Sequence, residues 1–184
     1  MDDEVPLVVP EINPEAVAGY KSKGIVANPN CTTAVTVMAL KPLHDLGNIK
    51  RVIASSYQAV SGAGAQGIEE LNNQTRAWAN SEEIKPEAFP HQIAFNLLPN
   101  IDSFTDNGYT KEEMKLQNET RKILGDNEIA LTATTVRVPV FRAHSVSVNI
   151  ETEKKITVEE AREAIKKFPG VRILDNPEEL KYPM

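Results

Sequence analysis

A single cysteine, Cys31, stands in the 184 residues, which excludes an internal disulfide framework and any cysteine-built zinc site. Long apolar runs are missing too: no stretch approaches the roughly 20 residues that a membrane-spanning helix needs. Positive charge is not in excess. With 20 Lys and Arg against 26 Asp and Glu, the formal net charge is -6 and the pI is near 5.2. That balance argues against a surface built for nucleic acid or anionic lipid. The start, Met1-Asp2-Asp3-Glu4, is acidic and lacks the basic-then-apolar order of a signal peptide. A reducing, cytoplasmic setting is the resulting expectation. Internal repeats and low-complexity tracts are also absent.

What remains is an ordinary globular composition, 41% hydrophobic and 25% charged, in a chain long enough to bury its own core. One domain over residues 1–184 is expected. Val5–Val9 and Gly24–Ala27 read as short buried strands, and Asn13 as the cap of a short helix with Pro14 at its first position. A helix rich in Ala, Val, Met and Leu starts near Cys31. β-Branched residues put a strand over Ile49–Val60, and Ile68, Leu71, Thr75 and Trp78 are spaced for one face of a helix over Ala65–Asn80. Ser81–Asn107 holds several prolines and reads as a long connection with one short strand, Ile93–Leu98. A connection of that length in a compact domain is usually functional or interfacial.

Thr110-Lys111-Glu112-Glu113 is a capping-box pattern that opens a helix to Leu124, stopped by Gly125. Apolar–polar alternation gives strands at Ile129–Val140 and Ser145–Thr152. Thr157–Phe168 is a last amphipathic helix, followed by a short strand at Val171–Leu174. Strands and helices mix without a regular βαβ rhythm. The expected class is therefore α+β, with a mixed, mostly antiparallel sheet, helices packed on one face and the other face left for a partner.

Cys31 follows a strand and the turn Asn28-Pro29-Asn30 and stands at a helix start. There the positive end of the helix dipole and free N–H groups favour thiolate. The same N–H groups, with the Asn30 side chain, suit an oxyanion. Taken alone, the residue also fits the usual role of a lone cysteine, a small buried hydrophobe. His144, in a tight link between strands after Phe141-Arg142-Ala143, is the natural base, or else an ordinary surface histidine. His44 and His91 lack such a context and read as structural. Glu112 and Lys115 are three apart on one helix; they suit an ammonium and an anion, or pair with each other in solvent. Arg137 interrupts the apolar strand Thr135-Val136-Arg137-Val138-Pro139 and needs a partner, for which a carboxylate held in two-pronged fashion is apt. Gln58 and the run Ser61-Gly62-Ala63-Gly64 complete the set. The glycines let a backbone approach a ligand, and neither a dinucleotide fingerprint nor a Walker loop is expected there.

Together these blocks resemble one family. Asn28-Pro29-Asn30-Cys31-Thr32-Thr33 resembles the active-site signature of aspartate-semialdehyde dehydrogenases, and Ser56 to Gly64 is similar to their next block. Glu112-Glu113-Met114-Lys115, Arg121-Lys122-Ile123-Leu124 and Val136 to Ser145 match in order and spacing. The resemblance implies the α+β fold of the glyceraldehyde-3-phosphate dehydrogenase C-terminal domain. It also implies an NADP-dependent interconversion of aspartyl phosphate and aspartate semialdehyde, on the branch toward lysine, threonine, methionine and diaminopimelate. Carried over, Cys31 forms the thioester, His144 is the acid/base and Gln58 orients the intermediate. Arg137 holds the substrate carboxylate, Glu112 contacts its amino group, and Lys115 lies in the phosphate pocket. Ser61 and Gly62 line the nicotinamide side. A homodimer is implied, its interface on the open sheet face and the Ser81–Asn107 connection. The family's N-terminal nucleotide domain and C-terminal return segment are expected to be missing, which leaves this piece without turnover. Two other readings stay open: a non-catalytic dimerisation module, and a cofactor-independent cysteine hydrolase using Cys31 and His144.

Overall fold

A computed structural model describes residue 2 and residues 4–184 of the chain. The longer elements follow in the order α1 (Cys31–Gly47), β1 (Ile49–Gln58), α2 (Gly64–Ala79), α3 (Lys111–Leu124), β2 (Ala130–Arg137), β3 (His144–Thr152) and α4 (Val158–Lys167). The strands pair in the order β2-β1-β3, with β1 parallel to β2 and antiparallel to β3. The sheet is mixed, as expected, and Leu98 adds an antiparallel bridge to Arg137 on the outer side of β2. Chain path explains the parallel pair. Helix α2, the 81–107 connection and α3 all lie between β1 and β2, which leaves ample length for a crossover. The link 138–143 is short, yet β2 and β3 are not neighbours, because β1 lies between them.

Burial alternates along the strands with the period of two that a pleat imposes. Val52 and Ala54 of β1 and Leu131 and Ala133 of β2 point to one face, where Leu40 of α1 and Leu116 of α3 close over them. The other face carries Ile53 and Tyr57, 39% and 47% exposed, among exposed Thr132, Thr134, Ser145 and Ser147. Helix α3 opens on the expected capping box: Glu113 N–H donates to Thr110 Oγ1, and Thr110 N–H to Glu113 Oε2. It ends where Gly125 takes a left-handed φ of 69°, the usual glycine stop.

Several local expectations give way. Val5–Val9 and Gly24–Ala27 form no extended ladder; they meet in one parallel bridge, Leu7 to Ala27. Pro6 and Pro10 have no N–H to donate, which limits strand pairing there. The helix after Asn13 is a 3-10 helix over Pro14–Ser22, and the Asn13 side chain does not cap it. It accepts from Val9 N–H and donates to Leu7 O instead. Residues 93–98 and 171–174 are not strands.

The buried face of α2 is Gly67, Glu70, Leu71 and Gln74, whereas Trp78 is exposed and lies beside Phe95, ring centroids 4.8 Å apart. Polar residues face inward because the long connection beneath them has backbone donors to satisfy. Glu70 Oε2 accepts from the N–H groups of Glu87, Ala88 and Phe89. Gln74 Oε1 accepts from Ile93 and Ala94 at 2.9 and 3.0 Å. Hydrophobic periodicity alone cannot signal a face chosen by hydrogen bonding. Among the described residues, no helix is long and apolar enough to cross a membrane.

Candidate active site

The last residue of β1, the last of β2 and the first of β3 stand side by side: Gln58 pairs with Arg137 on one side and His144 on the other. Directly paired residues point to the same face of a sheet. A row Arg137–Gln58–His144 therefore forms at one end of the sheet, on the helix-covered face. The start of α1 brings Cys31 to the same place, with Sγ 3.2 Å from His144 Nε2. These residues are distant in sequence, so the row exists only once β1 is seated between the other two strands.

Asn30, expected to face an oxyanion, caps α1 instead. Its Oδ1 accepts from Thr32 N–H at 2.9 Å and Thr33 N–H at 3.2 Å. Two donors expected to be free for an oxyanion are thus occupied. The Asn30 Nδ2 is occupied as well, donating to Glu112 Oε1 at 2.8 Å. Of that first turn, the Cys31 N–H is left without a partner among the described residues. Gln58 is equally committed. Its Oε1 accepts from Ser56 Oγ at 2.8 Å, and its Nε2 donates to Glu112 Oε1 at 3.0 Å.

The thiol and the imidazole shift each other. Cys31 is accessible to solvent, and its hydrogen bond to His144 pulls its pKa down, against an opposing push from partial burial. The His144 pKa is raised, first by the same bond to Cys31, again against burial. Both shifts favour a thiolate–imidazolium pair. The other ring nitrogen has a partner in either state: Nδ1 lies 2.7 Å from Ala143 O, an acceptor for a protonated Nδ1, and 3.1 Å from the Ala59 N–H, a donor to an unprotonated one. Ala143 itself is held at a φ of +73°, an uncommon conformation for alanine. Such outliers are tolerated where surroundings over-determine them, often at functional sites.

Arg137 is 7% exposed, and its Nη1 donates to Ala59 O at 2.8 Å. Burial works against its charge, and Glu112 is the largest influence that favours it, with Cys31 adding to the effect. Most of the guanidinium's five donors remain for a ligand. Gly62 makes this geometry possible, since a Cβ there would stand 2.6 Å from Arg137 Nη1.

The glycine run needs a correction. Gly62, Gly64 and Gly67 have the Gly-x-Gly-x-x-Gly spacing, Gly62 in the turn after β1 and the other two at the start of α2, which the sequence reading passed over. Their surroundings do not form a dinucleotide cradle. The space beside Gly62 is filled by Arg137 and that beside Gly67 by Val60 O, leaving only Gly64 open. Ser61 is tied through its N–H to Phe141 O.

A family model described as the semialdehyde dehydrogenase dimerisation domain matches residues 40–184. The chain belongs to that family. Aspartate-semialdehyde dehydrogenase of Aquifex aeolicus (strain VF5) is 60% identical over 185 residues, which takes in all of this chain and 54% of the relative. A crystal structure of aspartate semialdehyde dehydrogenase II from Vibrio cholerae, complexed with ASA, superposes with a TM-score of 0.90 at 47% identity, over 92% of this chain and 50% of that one. The enzyme of Candida albicans, solved with NADP, does so with a TM-score of 0.61 at 26% identity, over 90% of this chain and 45% of that one. The chain spans about half the length of the curated relatives it matches.

In this semialdehyde dehydrogenase domain, Lys115 stands at the rim of the site. Its Nζ is 3.0 Å from Asp102 and 3.7 Å from Glu112. Its pKa is raised, chiefly by the bond to Asp102, with Glu112 and Glu119 adding to the effect. Sequence reasoning missed two of these partners. Asp102 lies in the long connection with no local pattern to mark it. Glu119 had a usable signal, being seven residues after Glu112 and so on the same face of α3. His44 is structural, its Nδ1 accepting from Ile49 N–H at 3.1 Å.

Proposed function

We propose that this chain is the catalytic and dimerisation domain of an aspartate-semialdehyde dehydrogenase, interconverting aspartyl 4-phosphate and aspartate 4-semialdehyde through a thioester on Cys31. The observation that carries this is the Cys31–His144 pair, 3.2 Å apart at the end of a strand row that also presents a buried, under-partnered Arg137. The likeness to relatives of that name supports the substrate class. It also supports a role in amino-acid biosynthesis toward lysine, threonine, methionine and diaminopimelate.

Arg137 grips the substrate α-carboxylate and Glu112 receives its ammonium. The Cys31 thiolate attacks the acyl carbon, a C–S bond forms, and the C–O bond to phosphate breaks as phosphate leaves with the electron pair toward Lys115. The Cys31 N–H is placed to support the oxyanion that forms in passing. His144 holds the proton that keeps sulfur as thiolate, lends it to the oxyanion left when the thioester is reduced, and recovers it as the C–S bond breaks to give aldehyde and thiolate. Asn30 and Gln58 fix Glu112 from two sides and so orient the intermediate. NADP, found in the Candida albicans relative, is the cofactor proposed, and its reduced form, when bound, would supply the hydride that reduces the thioester. Ser61 and Gly62 suit its nicotinamide edge; the filled glycine positions suit no pyrophosphate.

By itself, then, the chain is expected to stop at the thioester. Mixed with aspartyl 4-phosphate, it should release one equivalent of phosphate and gain the mass of one aspartyl group on Cys31. The Cys31→Ala variant should do neither. Continuous phosphate release without an adduct would instead identify a cysteine hydrolase, and no release at all would sink the thioester reading.

The proposed assembly is a homodimer that joins the open sheet faces, with the 81–107 connection alongside. Ile53 and Tyr57 provide apolar contacts within a field of small hydroxyl side chains, and the family model carries a dimerisation description. Sedimentation at micromolar concentration should give a dimer, and Tyr57→Glu should shift it toward monomer. A monomer in the unaltered protein would overturn this assignment.

A further inference from the structure

Glu119 is a carboxylate only 8% exposed, in the second half of α3. A buried carboxylate is costly unless hydrogen-bonded or paired. What meets it is a backbone donor from another element: Asn30 N–H donates to Glu119 Oε2 at 2.8 Å. Glu112, seven residues earlier, accepts from the Asn30 side chain at 2.8 Å. A seven-residue step on a helix returns to within about 20° of the same face. Helix α3 thus meets Asn30 at two points, one carboxylate on the backbone N–H and one on the side-chain amide.

Asn30 is the N-cap of α1 and the residue before Cys31. Its Oδ1 accepts from the Thr32 and Thr33 N–H groups, while α3 holds both its peptide N–H and its side-chain amide. We infer that Glu119 is a positioning residue for the nucleophile: by taking the Asn30 N–H it fixes the first turn of α1 and holds Cys31 within reach of His144. This rests on the reading of Cys31 as the activated thiol. Glu119 shares Lys115 with Glu112 as a charged neighbour, but its hydrogen bond to the Asn30 peptide is a role that Glu112, which also favours the charge of Arg137, does not fill.

The test is the pH profile of Cys31 alkylation by iodoacetamide, with thermal unfolding measured alongside. In Glu119→Ala the rate on the low-pH plateau should fall about tenfold, the scale set by losing one hydrogen bond to a charged group. Glu119→Gln keeps an acceptor oxygen and should retain most of the rate. A purely structural role would lower the melting temperature of Glu119→Ala and leave the plateau in place; that result overturns the inference. A plateau that rises in Glu119→Gln would also overturn it, showing that the charge acts on sulfur directly. Should Glu119→Ala not fold, Glu119→Asp withdraws the carboxylate by one methylene and should lower the plateau in the same direction. An ordinary thiol profile in the unaltered protein would fail the active-site reading itself, whatever Glu119 does, and the inference with it.

Discussion

His144→Ala is expected to remove the low-pH plateau of Cys31 alkylation and to slow the reaction about tenfold at pH 6.5. A free thiol of pKa roughly 8.5 is only about 1% thiolate at that pH, so pairing raises the reactive fraction by up to about a hundredfold. A less basic thiolate is also a weaker nucleophile, with a Brønsted coefficient of about 0.4–0.5, which offsets part of that gain. The sign follows from the two shifts. Cys31 is pulled below its ordinary value by the His144 hydrogen bond, and His144 is pushed above its own by Cys31. Between the two apparent pKa values of the pair the thiolate–imidazolium state dominates. Below the lower one sulfur takes a proton, and above the upper one the ring loses its own. The unaltered protein should therefore climb to a plateau on the acid side of a normal thiol. The variant should show a single rise near the ordinary thiol pKa and catch up at alkaline pH. Identical profiles for the two proteins would mean that the 3.2 Å contact does not activate the sulfur.

Arg137→Met should cut the rate of Cys31 acylation by aspartyl 4-phosphate by about thirty- to a few thousand-fold. Truncating one partner of a buried, hydrogen-bonded charge pair costs about 2–5 kcal/mol, and each 1.4 kcal/mol is a factor of ten. Methionine keeps much of the volume, so the core beside Leu98 and Ala59 stays filled. Acetyl phosphate, which has no α-carboxylate, supplies the control, and its rate should change little. Gly62→Ala should give a milder form of the same selectivity loss, because its Cβ would press within 2.6 Å of Arg137 Nη1. Equal losses with both acyl phosphates would show that Arg137 supports the site and does not read the substrate.

Much of the site was legible as residue types in context. A cysteine at a helix start, a histidine in a strand link and an arginine inside an apolar strand each stand out locally, and all three converge. What the residues do to one another was less legible. Asn30 was expected to offer its amide to an oxyanion, but Oδ1 caps α1 and Nδ2 binds Glu112. Gly62 was placed on the nicotinamide side, and its missing side chain first makes room for Arg137. The inward face of α2 was misjudged for a related reason. Glu70 and Gln74 are buried by the backbone donors of a distant loop, which no hydrophobic pattern encodes.

The amino-acid sequence by itself determined the starts of α3 and α4 and the end of α3, since capping boxes and a stop glycine act through bonds between residues three or four apart. It also determined the chemical inventory and the family resemblance. Only the tertiary structure decided that β1 lies between β2 and β3, parallel to one and antiparallel to the other. Strand partners are chosen by the path of the whole chain and the burial of a shared face, not by local bonds. That choice sets Gln58 between Arg137 and His144, brings α3 against Asn30 with two carboxylates, and turns dispersed polar residues into one site.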